Sequence, residues 1–381
     1  MAQFAQFIKG SFLFKGISAI IALLLTLNLS FNTMVNSDEA LDPGDYDNVI
    51  LMIGDGMGFY HIDWMEQEYG IEEAYMFSMT DYHGESKTRS SNNIVTDSAA
   101  GATALSCAVR TNNGAIGVFP QDQYAVAYIP QNLSELAHSY GKLTGIVTSD
   151  NNHGATPGGF SAHIFDRDED VEITRQQIEE SDLDLIWSAT SGLVNDEYAN
   201  EYGWTLIDTT AEFEAVQPGT RSFGQFSGNV WAPDTGADSP SLSALTTKAI
   251  DMLDDDEDGF FLMVEGAHID KHSHSNEEAN MKIAAKEFDL AVKATIEYAK
   301  ADGNTLVVIT ADHETGAISF KDGEYKFNSG SHSGANVPLL VYGSDNFIEE
   351  GEAINNKEVS RRLAMAMGAE PTAFPAAIAV E

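Results

Sequence analysis

The side chains best suited to chemistry in this sequence are histidines and aspartates in its second half. Asp270 and His274 stand four positions apart, so in a helical turn they share one face. Asp312 and His313 are adjacent and follow an apolar run, and His332 lies among glycines and serines. Imidazole and carboxylate are ligands that zinc takes, with one position left open in a catalytic site. The set predicts zinc binding, whereas a lone histidine would be an ordinary surface or core residue.

A second set offers oxygen atoms only. Asp55 stands between two glycines, Thr156 follows an alanine, and Glu265 ends an apolar run. Oxygen ligands suit the harder Mg²⁺ ion. Taken alone, Asp55 could equally be a turn residue between its glycines.

Ser98 is the candidate nucleophile. It begins a run of small residues, 98–104 (SAAGATA), that predicts a helix, and the amino end of a helix favours anions. A serine here also serves as an N-cap, and that structural role stays open. The chain has no G-x-S-x-G elbow around Ser98. Activation by a metal is therefore the more natural way to form an alkoxide.

One apparent metal motif is set aside. Asp254, Asp256, Asp258, Gly259 and Glu265 satisfy the spacing of a calcium-binding loop. That loop requires a helix to begin in its last third, but residues 260–264 (FFLMV) predict an apolar strand. The acidic run is interpreted as a solvated turn.

The elements that would position these residues alternate along the chain. Short apolar, β-branched runs predict strands at 49–53, 144–148, 260–264, 305–310 and 338–342. Helical spacing predicts helices at 98–109, 133–140, 242–253 and 277–300. Alternation of strands and helices indicates an α/β layered fold with a mostly parallel sheet. Residues 195–240 give no clear prediction.

The candidate ligands follow the predicted strands. Four of the five strands run directly into segments with carboxylate, hydroxyl or imidazole groups, at 54–58, 149–156, 265–266 and 311–314. Ligands of open parallel sheets collect beyond the carboxyl ends of the strands. The sequence therefore predicts one site at that edge of the sheet.

Composition limits the classes of function. The 381 residues are 43% hydrophobic and 21% charged, which indicates a globular protein. Lys and Arg number 20 against 59 Asp and Glu, a formal net charge of −39. Such a surface repels nucleic-acid phosphates and anionic lipids, so nucleic-acid and membrane partners are not expected. It suits a protein that binds cations, or one adapted to salty water. Cys107 is the single cysteine, which excludes an intrachain disulfide.

The amino-terminal segment resembles a secretory signal. Lys9 and Lys15 precede an apolar stretch at 17–29, which polar residues follow. The stretch is short for a membrane span. We expect a signal peptide at 1–36, with an unassigned cleavage site, a linker at 37–46 and a single catalytic domain at 47–381. An uncleaved amino-terminal anchor is the alternative. Export predicts a periplasmic or secreted protein without stable membrane association after processing.

Six blocks together resemble the alkaline phosphatases, the phosphomonoesterases that use two zinc ions and one magnesium ion. They occur in the family's order at 53–58 (IGDGMG), 95–104 (VTDSAAGATA), 155–167 (ATPGGFSAHIFDR), 260–274 (FFLMVEGAHIDKHSH), 310–314 (TADHE) and 332–343 (HSGANVPLLVYG). The resemblance implies a three-layer sandwich, in which helices flank a mostly parallel central sheet. It covers nearly all of the chain after the amino-terminal segment.

The same resemblance implies a role for each site residue. Ser98 would be the phosphorylated nucleophile, and Arg167 would bind two phosphate oxygens while Asp97 orients it. Lys271 is either a water-mediated phosphate contact or an ordinary exposed lysine. One zinc would bind Asp270, His274 and His332; the other would bind Asp312, His313 and Asp55 and activate Ser98; the magnesium would bind Asp55, Thr156 and Glu265.

The sequence departs from the family pattern at two places. Two residues before Thr156 the family often has Asp or His, but here Gly154 occupies that position and His153 precedes it. The surroundings of the magnesium site therefore differ from the usual pattern. The segment between His313 and His332 is short, which suggests an open site and a smaller dimer interface.

The expected function is hydrolysis of small phosphate monoesters by an exported enzyme, as a monomer or a homodimer. A phosphodiesterase or phosphonate hydrolase of the same superfamily is the first alternative, but those relatives usually have a threonine nucleophile and lack the arginine. A non-catalytic metal- or phosphate-binding export protein is the second. Such a binder would not need Ser98 and Arg167 beside the metal ligands.

Overall fold

The apolar runs at 49–53, 144–148, 260–264, 305–310 and 338–342 all lie within strands of one sheet. The computed structural model describes residues 46–122, 125–232, 239–254 and 256–378. The predicted signal peptide lies outside the described residues, as does the linker up to residue 45. Within the described part, no helix combines the length and apolarity needed to cross a bilayer.

The strands are β1 (Asn48–Gly54), β2 (Tyr82–Lys87), β3 (Phe119–Asp122), β4 (Ala125–Pro130), β5 (Leu143–Asn151), β6 (Leu185–Ala189), β7 (Thr205–Ile207), β8 (Ser222–Phe226), β9 (Phe260–Gly266), β10 (Thr305–Thr310), β11 (Glu314–Thr315), β12 (Ser319–Lys321), β13 (Glu324–Lys326), β14 (His332–Ser333), β15 (Val337–Tyr342), β16 (Ala353–Asn355) and β17 (Ala377–Ile378). The helices are α1 (Phe59–Tyr69), α2 (Tyr75–Ser78), α3 (Ser98–Cys107), α4 (Leu133–Ser139), α5 (Ala155–Gly159), α6 (Asp170–Glu179), α7 (Asp196–Glu201), α8 (Thr210–Ala215), α9 (Leu242–Leu253), α10 (His268–His274), α11 (Glu278–Asp302) and α12 (Asn356–Ala366).

The main sheet has ten strands among the described residues, in the order β16-β2-β15-β10-β1-β9-β5-β6-β8-β7. All pairs from β10 across to β7 are parallel, and β16 is parallel to β2. β15 is antiparallel to both of its neighbours. The sequence predicts a mostly parallel α/β sheet, and the structure has one.

The orientation of β15 has a simple cause. Its nearly continuous apolar sequence is typical of a parallel strand, yet it pairs with β10 in the opposite direction. A parallel neighbour requires a crossover connection, usually a helix. The connection at 311–336 contains short strands and no helix, and all of it is described. The chain therefore turns back beside β10.

Helices cover both faces of the sheet because side chains alternate along each strand. In β1, Ile50 and Met52 belong to one buried cluster together with residues of α1, α9 and α11. Val49, Leu51 and Ile53 belong to the cluster on the opposite face, with residues of α3, α4 and α12. The result is the three-layer arrangement that the family resemblance implied.

Two further regions can be compared with the sequence predictions, the acidic run at 254–258 and the stretch 195–240. The segment after the acidic run at 254–258 is strand β9 and not a helix, as predicted, so the calcium-loop spacing is accidental. The unassigned stretch 195–240 contains α7, β7, α8 and β8. These helices are each six residues long and depend on side-chain caps, from Asn195 in α7 and Thr209 in α8.

Candidate active site

The predicted site residues converge at the carboxyl edge of the sheet and in the segments beyond it. The structure places Asp55 after β1, Ser98 at the start of α3, Thr156 on α5, Arg167 before α6, Glu265 in β9, Asp270, Lys271 and His274 on α10, Asp312 and His313 after β10, and His332 in β14.

Asp270, His274 and His332 form the first group that could hold a metal ion. The helical turn of α10 places Asp270 and His274 on one side, with 3.3 Å between the Oδ2 and Nε2 atoms. His332 presents its Nε2 atom 3.0 Å from that of His274 and 3.7 Å from Oδ1 of Asp270.

The opposite ring nitrogens of this group are fixed by carbonyl groups. Nδ1 of His274 lies 2.8 Å from the Gly330 carbonyl, and Nδ1 of His332 lies 2.9 Å from the Thr96 carbonyl. Because a carbonyl only accepts, both Nδ1 atoms donate, and in the neutral rings both Nε2 atoms carry lone pairs. Two facing lone pairs beside a carboxylate repel one another unless a cation lies between them. When no metal ion is bound, a proton on His274 relieves this repulsion, because the hydrogen bond to Asp270 raises the pKa of His274 to about 9.

Asp55, Asp312 and His313 form the second group, and all three are buried. The Nε2 atom of His313 lies 3.4 Å from Oδ1 of Asp55 and 3.3 Å from Oδ2 of Asp312. Neither of these two oxygens has a hydrogen-bond partner. Burial, followed by the neighbouring Asp312 charge, raises the pKa of Asp55 well above its usual range. Buried carboxylate oxygens without donors fit a cation, which would supply the missing charge.

The two groups adjoin each other. The rings of His313 and His332 stack with 3.6 Å between their centroids. The Thr315 hydroxyl donates to Asp270 of the first group and lies 3.2 Å from Nδ1 of His313 in the second. Since that hydroxyl hydrogen is used on Asp270, Nδ1 of His313 is the donor. His313 thus also directs its Nε2 lone pair toward the ligand group.

Ser98 lies beside the second group. It is the first residue of α3, and Asp97 caps the helix by accepting a hydrogen bond from the Ala100 amide at 3.0 Å. The cap is therefore Asp97, which leaves the Ser98 hydroxyl free to face His313 Nε2 at 3.0 Å. Ser98 is buried, at the end of the helix that favours anions.

The small residues of α3 allow this close approach. A Cβ atom on Gly101 would lie 2.9 Å from Cβ of Asp312, and one on Gly159 of α5 would lie 2.8 Å from Cβ of Ala102. All ten residues of α3 are buried. Cys107, at its far end, is buried as well, and burial raises the pKa of its thiol. The small side chains thus set the distance between the nucleophile and the ligand group.

Arg167 lies at the solvent-exposed edge of the site, beside Asp97. Its guanidinium lies 3.4 Å from Oδ2 of Asp97, and that carboxylate oxygen also accepts the Gly114 amide at 2.8 Å. The Gly114 carbonyl accepts the Arg167 amide, also at 2.8 Å. One third of the Arg167 side chain is exposed, so its remaining donors can reach a ligand. Asp97 thus contacts both the helix that carries Ser98 and the arginine.

Glu265 is the centre of the oxygen-only set. It is buried in β9, where burial, with the Asp150 charge second, raises its pKa to about 8. Its carboxylate accepts a hydrogen bond from the Thr148 hydroxyl. The Thr156 hydroxyl oxygen is buried without a hydrogen-bond partner, and the charges of Glu265 and Asp55 act on one another. A divalent cation fits the unsatisfied oxygens of this set.

Two residues of the site were not singled out from the sequence, although one of them, Asp150, lies in the segment 149–156 that follows a predicted strand. Thr315 links the two metal-ligand groups, and Asp150 pairs with Lys271. The absence of a side chain at Gly154 is a second sequence feature that could have drawn attention to Asp150.

Fold and site together define an α/β protein with candidate metal sites at the carboxyl edge of its sheet. A model of the alkaline phosphatase family matches residues 46–192 and 197–359. The chain therefore belongs to the alkaline phosphatase family.

Individual relatives agree with this assignment. Alkaline phosphatase 4 of Bacillus subtilis is 33% identical over 304 residues, which cover 74% of this chain but 64% of the relative. The chain thus spans somewhat less than two thirds of that relative's length. Alkaline phosphatase of Escherichia coli is 28% identical over an alignment 386 residues long, which covers 78% of this chain and 81% of the relative. The structure of alkaline phosphatase from the Antarctic bacterium TAB5 superposes with a TM-score of 0.75 at 29% identity, covering 86% of this chain and all of that one.

Proposed function

We propose that the chain is an exported, metal-dependent phosphomonoesterase that releases inorganic phosphate through a phosphoserine on Ser98. The main support for this proposal is the position of Ser98. It is the first residue of α3, and its hydroxyl lies 3.0 Å from Nε2 of His313. This hydroxyl lies close to the start of α3, to the Arg167 guanidinium and to the two groups of candidate metal ligands. A simple metal store would not require this combination.

The residues would divide the reaction as follows. Ser98 attacks phosphorus, the bond to the alcohol oxygen breaks, and hydrolysis of the phosphoserine regenerates Ser98. Arg167 binds the phosphoryl oxygens because its planar guanidinium matches them bidentately, and Asp97 orients it. Lys271 is assigned a phosphate contact through water.

Three cations are proposed, and the donor chemistry supports each site. Asp270, His274 and His332 would hold one zinc; Asp312, His313 and Asp55 would hold the other; Asp55, Thr156 and Glu265 would hold magnesium. When bound, two such cations stabilise the attacking and leaving oxygens of an in-line displacement. A variant of the TAB5 alkaline phosphatase has Mg bound in its M3 site.

The decisive experiment compares p-nitrophenyl phosphate with bis-p-nitrophenyl phosphate at alkaline pH, using zinc- and magnesium-loaded protein. We expect the monoester to be strongly preferred. Ser98→Ala should lower kcat by at least about 1,000-fold. Ser106→Ala, in the same buried helix, is the matched control and should retain turnover.

The alternatives give different results. Preference for the diester would place the chain among the phosphodiesterases or phosphonate hydrolases of the superfamily, and Arg167→Ala would then change little. Turnover of neither ester by metal-loaded protein would favour a binding protein. Activity that survives Ser98→Ala would exclude the phosphoserine route.

The remaining assignments concern the whole protein. We propose a signal peptide at 1–36, a linker at 37–46, one catalytic domain at 47–381 and a periplasmic or secreted location. We propose small phosphate monoesters as partners because the chain belongs to the alkaline phosphatase family. The acidic composition argues against nucleic acids and membranes as partners, and the proposed assembly is a monomer or a homodimer. Recovery of the protein outside the cytoplasm tests the export, and amino-terminal sequencing of that protein tests the signal peptide, because an intact residue 1 would contradict cleavage.

A further inference from the structure

Asp150 lies at the end of β5, where the pairing with β6 shifts between Val147 and Asn151. Its amide donates to the Thr148 hydroxyl at 2.8 Å, and that hydroxyl donates to Glu265. The irregular strand end therefore connects the backbone of Asp150, through the Thr148 hydroxyl, to the carboxylate proposed to hold magnesium.

The Asp150 carboxylate occupies the space beside Gly154. A Cβ atom on Gly154 would lie 2.6 Å from Oδ2 of Asp150 and 3.1 Å from its Cγ. Gly154 has φ −51° and ψ 153°, which any L-residue adopts. The backbone therefore does not require glycine here, but the position of Asp150 does.

On its other side the Asp150 carboxylate contacts the Lys271 ammonium group through Oδ1. Lys271 follows Asp270 on α10, and its side chain is 43% exposed. His153 does not compete for this position, because it pairs with Asp170 at 3.2 Å. Asp150 is thus the carboxylate that fixes Lys271 beside Glu265.

We propose that Asp150 is a positioning residue for the magnesium site and for Lys271, and that it supplies from β5 the carboxylate which the family often carries at the position of Gly154. The inference rests on the proposed function, because it assigns Lys271 to phosphate. Asp150 acts by charge and by fixing the lysine, and it touches neither the nucleophile nor the reacting atoms.

The experiment uses full-length, zinc-loaded protein and two readouts. The first is the magnesium concentration that gives half of the magnesium-dependent rise in melting temperature. The second is the inhibition constant of inorganic phosphate. Asp150→Ala should raise the half-saturating magnesium concentration roughly 10–100-fold, as is usual when a residue that supports a metal site is removed. It should also lower the phosphate inhibition constant, because Lys271 is no longer neutralised.

Further variants separate the position of the carboxylate from its charge, and one serves as a control. Gly154→Ala keeps every charge but crowds the carboxylate, so it should shift both readouts in the same direction. The double variant Asp150→Ala with Gly154→Asp returns a carboxylate from the other side and should recover most of the magnesium affinity. Asp251→Asn removes an exposed carboxylate on α9 and should change neither readout. Asp150→Asn keeps the shape of the side chain but removes its charge; it is measured beside Asp150→Ala and keeps the test valid if the alanine variant fails to fold.

The inference is wrong if Asp150→Ala and Asp150→Asn both keep the wild-type magnesium and phosphate values within about twofold. It is also wrong if Gly154→Ala changes neither value, because the carboxylate would then not occupy that space. In both cases turnover that depends on Ser98 would leave the proposed function intact. If the wild type turns over no ester, the proposed function fails, while the magnesium-dependent melting still tests Asp150.

Discussion

At the scale of single residues, the three histidines of the site share one arrangement. His274, His332 and His313 each donate through Nδ1, the first two to carbonyl groups and the third to the Thr315 hydroxyl. In the neutral rings each Nε2 lone pair therefore faces a ligand group, and on His274 an ion would displace the proton that Asp270 stabilises. This orientation lowers the entropy lost on metal binding, because the rings are already held in the required tautomer.

Thr315→Val tests the link between the two groups. Valine keeps the shape of threonine but removes both hydrogen bonds, so Asp270 and Nδ1 of His313 lose their common partner. We expect zinc affinity to fall roughly 10–100-fold, measured by competition with a chromogenic chelator. Thr247→Val, whose hydroxyl bonds only its own helix α9, is the control. Equal zinc affinity in both variants would show that Thr315 does not support the ligands.

At the scale of elements, His61 connects α1 to α10, the helix that carries two zinc-ligand candidates. Its Nδ1 accepts the Gly58 amide at 3.0 Å, and its Nε2 lies 3.0 Å from Ser273 Oγ, which itself donates to the Ile269 carbonyl. His61 is therefore neutral with its hydrogen on Nε2. Burial lowers the pKa of His61 to about 4.

This histidine makes the fold sensitive to acid. The unfolded chain binds a proton at His61 below about pH 6.5, whereas the folded chain resists it until about pH 4. Stability is therefore present at neutral pH and falls as the pH drops through this window, by about 2 kcal/mol at pH 5. Glutamine has no proton to bind, so His61→Gln should not lose this stability on acidification. The difference in unfolding free energy between wild type and His61→Gln should therefore be smaller at pH 5 than at pH 7.

Urea unfolding of wild type and of His61→Gln at pH 7 and pH 5 measures this change. Any metal lost at low pH destabilises both proteins equally, so it cancels in the difference between them. His138→Gln replaces a half-exposed histidine and should leave the pH dependence of wild type intact. A stability difference between wild type and His61→Gln that stays constant with pH would contradict the assignment.

The elements also show what the sequence can and cannot predict. β1, β5, β9 and β10 are buried on both faces. Each is therefore an apolar run that can be recognised as a strand from its own sequence. β2 (YHGESK) and β8 (SFGQF) carry polar residues and glycine, and their strand character comes from neighbours across the sheet. The direction of β15 depends on the absence of a helix from the connection at 311–336, and the periodicity of the strand itself does not report this.

The same limit applies to the site. Asp270 with His274, and Asp312 with His313, are close in the sequence, so their common function was predictable. Asp150 acquires its role from Gly154 and Lys271, and the second of these is 121 positions away. Contacts of that kind become visible only after folding.

At the scale of the whole molecule, the candidate ligands are spread from Asp55 to His332, so each bound ion would join distant parts of the chain. An ion that binds only the folded state adds about 4 kcal/mol at 1,000 times its dissociation constant. EDTA should therefore lower the melting temperature by at least about 5 °C.

Differential scanning calorimetry of metal-loaded and EDTA-treated protein measures this difference. Asp270→Ala, which removes a ligand from the first group, should reduce the response to EDTA. Identical melting temperatures with and without EDTA would mean that the ions do not hold the fold together.

The net charge of −39 predicts a dependence on salt. Exposed like charges repel over a Debye length of about 30 Å at 0.01 M salt and about 3 Å at 1 M. We expect the melting temperature of metal-loaded protein to rise from low to molar sodium chloride, consistent with adaptation to salty water. A melting temperature that is unchanged or falls would count against this interpretation of the acidic surface.

The packing of α3 has a consequence for how this protein can diversify. All ten of its residues are buried, and Gly101 and Ala102 touch Asp312 and Gly159 with no room for a larger side chain. In a saturation library across residues 98–107, surviving clones should retain the smallest amino acids at these positions. New substrate preferences would then have to arise outside the helix, at exposed neighbours such as Ile94, which is 77% exposed four residues before the nucleophile.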